Sequence, residues 1–137
     1  APEFSVTTLD GARLDNATLQ GRVVVVDFWA TWCGPCTKEM PLLDALRQEL
    51  GDAPVTFLAL SVDAELDPVP PFVERTGYGF DYAHIGDVGM KQRWSVRGIP
   101  SLFVLGPDGR VAHHHQGFRP DIREVLEAEI RGLLPGR

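Results

Sequence analysis

Residues 23–36 have the sequence VVVVDFWATWCGPC, and this stretch decides the fold that we predict for the chain. Four valines followed by Asp27 and Phe28 are typical of a strand that is buried on both faces of a sheet. The two cysteines of the chain, Cys33 and Cys36, come next and begin a segment whose apolar residues recur at helical spacing. We therefore predict a central strand that leads into a helix beginning at the cysteine pair.

The segments on either side alternate between strand-like and helix-like patterns, which is typical of an α/β fold. An N-terminal arm over residues 4–21 alternates apolar and polar residues and turns at Asp10 and Gly11, which predicts a hairpin at a sheet edge. Residues 63–94 form a less regular central insertion with a predicted helix over 72–75 and a strand near Tyr82. The other predicted elements are a helix over 35–50 kinked at Pro41, a buried strand over 55–62, a hairpin of strands 102–105 and 111–116, and a helix over 122–133.

The size and composition of the chain bound its organisation. A chain of 137 residues with 44% hydrophobic and 23% charged residues predicts one compact domain over residues 1–137. The formal charge of -6, without a run of basic residues, disfavours binding to nucleic acid. No apolar run approaches the roughly 20 residues that cross a bilayer. Because the chain begins at Ala1, we expect a mature form from which a targeting segment has been removed.

Two cysteines separated by two residues at a helix start can close and reopen a small disulfide ring. The partial positive charge of the helix N-terminus favours a thiolate at Cys33, and a thiolate is the attacking species in disulfide exchange. Cys36, one turn further into the helix, is expected to be less exposed and to resolve the mixed disulfide. The alternatives are a buried, inert pair or half of a metal site shared across a dimer, since two thiols are too few for a structural zinc site.

Residues 26–36 resemble the active-site strand and loop of thioredoxins, and residues 96–101 resemble their substrate-facing loop. The similarity extends through residues 107–109 to the terminal helix. The arm, the insertion and residues 39–41 resemble the TlpA/ResA-like branch of that superfamily. This resemblance implies a thioredoxin-like fold, with a central mixed sheet flanked by helices. It also implies a secreted or membrane-tethered reductant of a bacterial envelope, in a branch where some members serve cytochrome c maturation.

The resemblance makes Cys33 the nucleophile and Cys36 the resolving thiol of a protein-disulfide reductase. It also makes Pro100 a cis-proline beside the disulfide, so that the backbone of Ile99 can pair with an extended substrate segment. A trans-proline that merely opens the following strand is the alternative. The implied substrate-binding residues are Trp32, Gly34, Pro35, Ile99 and Pro100.

Two acids complete the implied catalytic set. Asp27 lies within an apolar strand, where burial raises the pKa of a carboxyl and favours a proton carrier, and the resemblance places it near Cys36. The lysine that usually pairs with this acid is replaced by Ala59. Glu39 follows Cys36 by three residues and matches the active-site glutamate of the ResA-like branch. A solvent-exposed Asp27 and a solvated Glu39 on the helix surface are the alternatives.

No cofactor other than the Cys33–Cys36 disulfide is expected. His113, His114 and His115 are consecutive, and because neighbours on a strand face opposite sides they cannot all bind one metal ion. Two other functions share this fold, a Sco-like copper chaperone and a peroxidase-like enzyme. The expected partners are proteins with disulfides or thiols and a membrane thiol-electron donor, and the expected form is a monomer.

Overall fold

The computed structural model describes residues 1–135 and has a five-stranded mixed sheet in the order β5-β4-β3-β6-β7. This sheet and the helices around it confirm the predicted α/β class. The strands are β1 (Ser5–Thr7), β2 (Arg13–Asp15), β3 (Val23–Trp29), β4 (Val55–Ser61), β5 (Asp81–His84), β6 (Ser101–Leu105) and β7 (Val111–Gln116). The helices are α1 (Gly34–Leu50), α2 (Val69–Thr76), α3 (Met90–Arg93) and α4 (Ile122–Leu133).

Strand β3 is the central strand, as its valines predict. Every residue of β3 is buried, because it pairs parallel with β4 on one side and antiparallel with β6 on the other. Strand β4 in turn pairs parallel with β5. The carboxyl ends of β3, β4 and β5 therefore meet at the same edge of the sheet, and α1 starts from that edge.

The N-terminal arm forms the predicted hairpin. Strands β1 and β2 pair antiparallel with each other and form a separate two-stranded sheet, rather than the edge of the main one. The arm is held to the main sheet by a hydrogen bond of 2.8 Å from the Leu9 backbone amide to the Tyr82 carbonyl. The side chains of Phe4 and Val6 are buried, so packing rather than continuous strand pairing holds the arm in place.

The central insertion contains the two predicted elements, and its helix is longer than expected. Helix α2 covers Val69–Thr76 rather than residues 72–75, because Pro70 and Pro71 lie in its first turn, where the missing amide costs no hydrogen bond. Phe72 packs on Trp29 with ring centroids 4.9 Å apart, and Tyr82 lies 5.9 Å from the same ring. The aromatic residues of the insertion therefore cover the sheet.

Candidate active site

The two cysteines lie at the N-terminus of α1, which begins one residue after Cys33. Cys33 is the residue that caps this helix, and its Sγ accepts a hydrogen bond of 3.2 Å from the backbone amide of Cys36. The two sulfurs form a disulfide, and the exposed fraction is 5% for Cys33 and 1% for Cys36. The nucleophile position is thus the more accessible of the two, at the end of the helix where the macrodipole favours negative charge.

An exposed rim surrounds this buried disulfide. Trp32 is 71% exposed, and Gly34 and Pro35 are also exposed at the first turn of α1. The Ile99–Pro100 bond is cis, as the resemblance implied. Trp32 and Ile99 face each other across a groove of about 360 Å³. Four of the five implied substrate-binding residues thus reach the surface near the disulfide, while Pro100 is buried.

Asp27 and Glu39 are both buried, which rules out the solvated alternatives for these side chains. Their exposed fractions are 4% and 1%. Within residues 1–135, three of the oxygens of these two carboxyls have no hydrogen-bond partner: Oε1 and Oε2 of Glu39 and Oδ1 of Asp27. Burial raises the pKa of Asp27 well above its ordinary range, and the nearby carboxyl of Glu39 raises it further. Burial alone raises the pKa of Glu39 to about 7.

The strand register explains why Asp27 has no counter-charge. Asp27 of β3 is the direct partner of Ala59 in β4 and of Leu102 in β6. The neighbouring hollow in the core is lined by apolar side chains such as Leu43 and Phe57 and has no room for a water molecule. Because no cation of the described residues 1–135 pairs with Asp27 and its surroundings are apolar, the neutral form of the carboxyl is favoured.

A third buried acid, Asp63, lies beside the active-site loop and was not predicted from the sequence. Its carboxylate accepts hydrogen bonds from the Thr31 amide (3.1 and 3.2 Å), the Thr31 hydroxyl (2.6 Å) and the Ser61 hydroxyl (2.5 Å). Thr31 directly precedes the Trp32–Cys33 segment. Asp63 therefore fixes the loop that presents the disulfide. The only signal in the sequence was a polar residue pair, Ser61 and Asp63, at the end of an apolar strand.

The three consecutive histidines lie on β7 and alternate faces as predicted. His113 and His115 both contact Glu129 of α4, at 3.4 and 2.9 Å. His114 points to the other side, where its ring stacks on Phe103 and its Nε2 lies 2.8 Å from the Ser101 hydroxyl. Within residues 1–135, no three Asp, Glu, His or Cys side chains are grouped so that they could hold a metal ion.

The chain is similar to known proteins in both sequence and fold. A family described as Redoxin matches residues 1–130 of the chain. The chain belongs to the Redoxin family. Thiol-disulfide oxidoreductase ResA of Bacillus thuringiensis is 34% identical over 137 residues, which cover 98% of the chain and 77% of that protein. Thioredoxin-like protein YneN of Bacillus subtilis is 31% identical over 119 residues, which cover 85% of the chain and 69% of that protein.

A solved structure supports the same assignment. The crystal structure of a Chlorobium tepidum protein described as the thiol:disulfide interchange protein DsbE has a TM-score of 0.89 and 28% identity, covering 97% of the chain and 94% of that structure. These similarities confirm the thioredoxin-like fold and the TlpA/ResA-like resemblance. With its Cys33–Cys36 disulfide, this Redoxin-family protein is a thiol-disulfide oxidoreductase. Of the helices within residues 1–135, none has both the length and the apolar character needed to cross a bilayer.

Proposed function

We propose that the protein reduces disulfides in other proteins, with Cys33 as nucleophile and Cys36 as resolving thiol. The observation that carries this proposal is the disulfide at the first turn of α1, surrounded by an exposed rim and backed by two buried carboxyls without partners in the described chain. The helix end favours the Cys33 thiolate. Trp32, Gly34, Pro35 and Ile99 form the surface on which the substrate lies, and the buried cis-Pro100 holds the Ile99 backbone in place for pairing with the substrate.

The reaction starts from the dithiol. The Cys33 thiolate attacks one sulfur of the substrate disulfide, a mixed disulfide forms, and the other substrate sulfur leaves as a thiolate that takes up a proton. Cys36 then loses its proton and attacks the Cys33 sulfur, which releases the second substrate thiol and leaves the Cys33–Cys36 disulfide. Counted from the fully protonated dithiol, the protein loses two electrons and two protons, one proton from Cys33 when its thiolate forms and one from Cys36, and the substrate gains the same number.

Asp27 and Glu39 are proposed as the groups that exchange protons with Cys36. A general base works best when its pKa lies near the working pH, and burial brings the pKa of Glu39 to about 7. Glu39 lies one helical turn after Cys36 on α1, and Asp27 is close enough to Glu39 for the two carboxyls to interact. The pair can therefore hold the Cys36 proton between turnovers.

The direction of electron flow follows from the charges near the sulfurs. No Lys, Arg or His separates the two cysteines, and Asp27 and Glu39 oppose a thiolate when they are ionised. The thiolate, and with it the dithiol form, is therefore not strongly stabilised, which corresponds to a low reduction potential and a reducing role. The resemblance to thioredoxin, with the same Gly34–Pro35 pair, supports the same direction.

The wider setting is proposed from the TlpA/ResA-like resemblance. The protein works outside the cytoplasm, in the periplasm or tethered to the outer side of the cytoplasmic membrane, as a monomer with one thioredoxin-like domain over residues 1–137. A membrane thiol donor returns it to the dithiol, and no cofactor other than the cysteine pair takes part. Cytochrome c biogenesis, in which apoprotein cysteines must be kept reduced, is the process we assign to it.

A trapping experiment tests the cysteine roles. With Cys36→Ser and a peptide carrying one disulfide, we expect the mixed disulfide with Cys33 to accumulate and to be seen by mass spectrometry. The matched variant Cys33→Ser should give no adduct. Adducts through Cys36 in the second variant, and none in the first, would reverse the assignment.

The direction is tested separately by equilibrating the protein in graded glutathione buffers and counting free thiols by alkylation. We expect the pair to be oxidised in a mildly oxidising buffer, because a low-potential dithiol gives up its electrons readily. A pair that stays largely reduced there would contradict the reductant role.

A further inference from the structure

The groove beside the disulfide is lined by residues from several separate segments of the chain. Trp32 follows β3, Val62 follows β4, and Asp87 follows β5, so this side comes from the carboxyl ends of the three parallel strands. Lys91 of α3 and the segment 97–99 before the cis-proline form the other side. Crevices at the carboxyl ends of parallel strands are common ligand-binding places in α/β sheets. Its volume of about 360 Å³ suits a few side chains of an extended peptide.

Exposed apolar side chains concentrate at the same edge of the sheet. Residues 1–135 contain five large apolar side chains that are exposed, and three of them lie in the loops that follow β3, β4 and β5. These are Trp32 (71% exposed), Leu66 (44%) and Val88 (60%). Exposed apolar side chains thus lie in the loops around the groove, with Trp32 directly before Cys33, and such side chains suit contact with a protein partner.

The charge of the groove is opposite to the charge of the chain. Its titratable residues are Lys91, Arg97 and Asp87, which gives an excess of one positive charge in a protein of net charge -6. Lys91 and Arg97 form no salt bridge with any residue of the described range 1–135. The acids Glu65 and Asp67 follow Ala64 in the next turn but do not line the groove. Two cations are thus left available for a partner.

We propose that this groove selects substrates whose disulfide is flanked by acidic residues, with Lys91 and Arg97 as the specificity-determining side chains. The acidic segment lies against the two cations while the substrate cysteine reaches Cys33 past Trp32 and Ile99. Long-range attraction between a cationic groove and an acidic segment raises the encounter rate, and contact with the two cations stabilises the complex. This inference rests on the proposed disulfide reduction, whose electron and proton balance it leaves unchanged.

The test uses three synthetic peptides that carry the same intramolecular disulfide between flanks rich in Asp, Ser or Lys. The dithiol protein is mixed with each peptide at low ionic strength, and kcat/KM is measured from the appearance of peptide thiols. We expect the acidic peptide to react about tenfold faster than the basic one, since two exposed ion pairs each contribute modestly. The preference should shrink in 1 M salt, where the screening length falls to about 3 Å.

The double variant Lys91→Glu/Arg97→Glu should reverse the order of the acidic and basic peptides. A matched control, Arg93→Glu/Arg110→Glu, changes the net charge of the chain by the same amount at exposed positions outside the groove. Arg93 lies on the same short helix as Lys91, which makes the control sensitive to nonspecific effects of charge. The control should retain the preference of the wild type for the acidic peptide.

The possible outcomes separate this inference from the proposed function. If none of the peptides is reduced by the wild type, the disulfide-reductase proposal fails. If all three are reduced at similar rates, or if the basic peptide reacts fastest, reduction stands and the assignment of acidic substrates is overturned. A reversal of the preference in both double variants would show that net charge, rather than the groove, selects the substrate.

Discussion

Two buried acid sites of the protein, Asp63 after β4 and the Asp27–Glu39 pair in β3 and α1, differ in what surrounds their oxygens. Asp63 is 2% exposed, and its carboxylate is held by the Thr31 amide, the Thr31 hydroxyl and the Ser61 hydroxyl. Asp27 and Glu39 are as deeply buried, but three of their four carboxyl oxygens have no partner within residues 1–135. The two sites are therefore equally buried but differ in their hydrogen bonds. The hydrogen-bond donors near a buried carboxyl decide whether it holds neighbouring groups in place or is left without partners.

This difference assigns separate tasks to the two sites. A carboxylate with its hydrogen bonds made holds other groups in place, and Asp63 holds the loop before Cys33. Carboxyls without donors have raised pKa values and can change their protonation state at moderate pH, which suits the Asp27–Glu39 pair to proton exchange with Cys36. Of these two sites, the Asp63 site holds the loop in place, and the Asp27–Glu39 site is the one proposed to exchange protons.

The largest expected effect comes from removing the acid that is fully bonded. Asp63→Ala should lower the free energy of unfolding by about 4 kcal/mol, because it leaves the donors of Thr31 and Ser61 buried without an acceptor. Urea unfolding of the oxidised protein measures this loss. The matched variant Asp63→Asn keeps one acceptor oxygen and should lose about half as much. An Asp63→Ala protein as stable as the wild type would remove the distinction between the two acid sites.

The two sites also differ in how far the sequence could predict them. Asp27 stands out as a single acid within a run of valines, and this local pattern was enough to predict a buried carboxyl. The role of Asp63 depends on Thr31, which is 32 residues away in the chain and comes close only when β3 and β4 pair. A local pattern in the sequence does not reveal a contact between residues this far apart in the chain.

The same reasoning applies to the fold and to the groove. The core strands, the cysteine helix and the alternating histidines of β7 follow from local periodicity, and they were predicted. The hairpin of the arm was predicted too, but apolar alternation does not show that its two strands pair with each other in a separate sheet. The groove was not predicted, since Lys91 and Arg97 lie in the segment before β6 and reach Trp32 only when β6 pairs antiparallel with β3.

A smaller effect is expected from the pH dependence of stability. Glu39 has a raised pKa in the folded state, so the folded protein binds its proton more tightly than the unfolded chain does. Stability linked to Glu39 is therefore complete below the unfolded pKa of about 4.3 and is lost as pH rises through about 7. Between pH 5 and pH 8 this loss amounts to about 3 kcal/mol, since pH 5 lies about two units below the folded pKa and one pKa unit corresponds to about 1.4 kcal/mol.

Glu39→Gln isolates this contribution, because glutamine has nearly the same shape and does not titrate. Urea unfolding of the oxidised proteins at pH 5 and pH 8 should show a drop in stability for the wild type and a clearly smaller drop for the variant. The remaining drop belongs to Asp27, whose pKa is raised in the same direction. Equal pH dependence in the two proteins would mean that Glu39 keeps its ordinary pKa.

The smallest expected effect is a rise in the free energy of unfolding for Asp27→Val, whereas Asp63→Ala lowers it. This difference in sign tests directly whether the two acid sites have different roles. Asp27→Val replaces a buried carboxyl with a β-branched side chain that suits the central strand and packs against the apolar hollow lined by Leu43, Phe57 and Ala59. The free energy of unfolding should rise by about 1 to 2 kcal/mol at pH 9, where a buried negative charge is most costly.

The gain from Asp27→Val should be smaller at pH 5, because the raised pKa leaves more of the wild-type carboxyl in its neutral form as the pH falls. Asp27→Asn is the matched control, since it removes the titration but keeps a polar group without a partner in the core. It should flatten the pH dependence without a gain at pH 5. Reaction with a disulfide peptide should slow in both variants, because neither can take the proton of Cys36. If Asp27→Val were instead destabilised at pH 9 as strongly as Asp63→Ala, both acids would be structural.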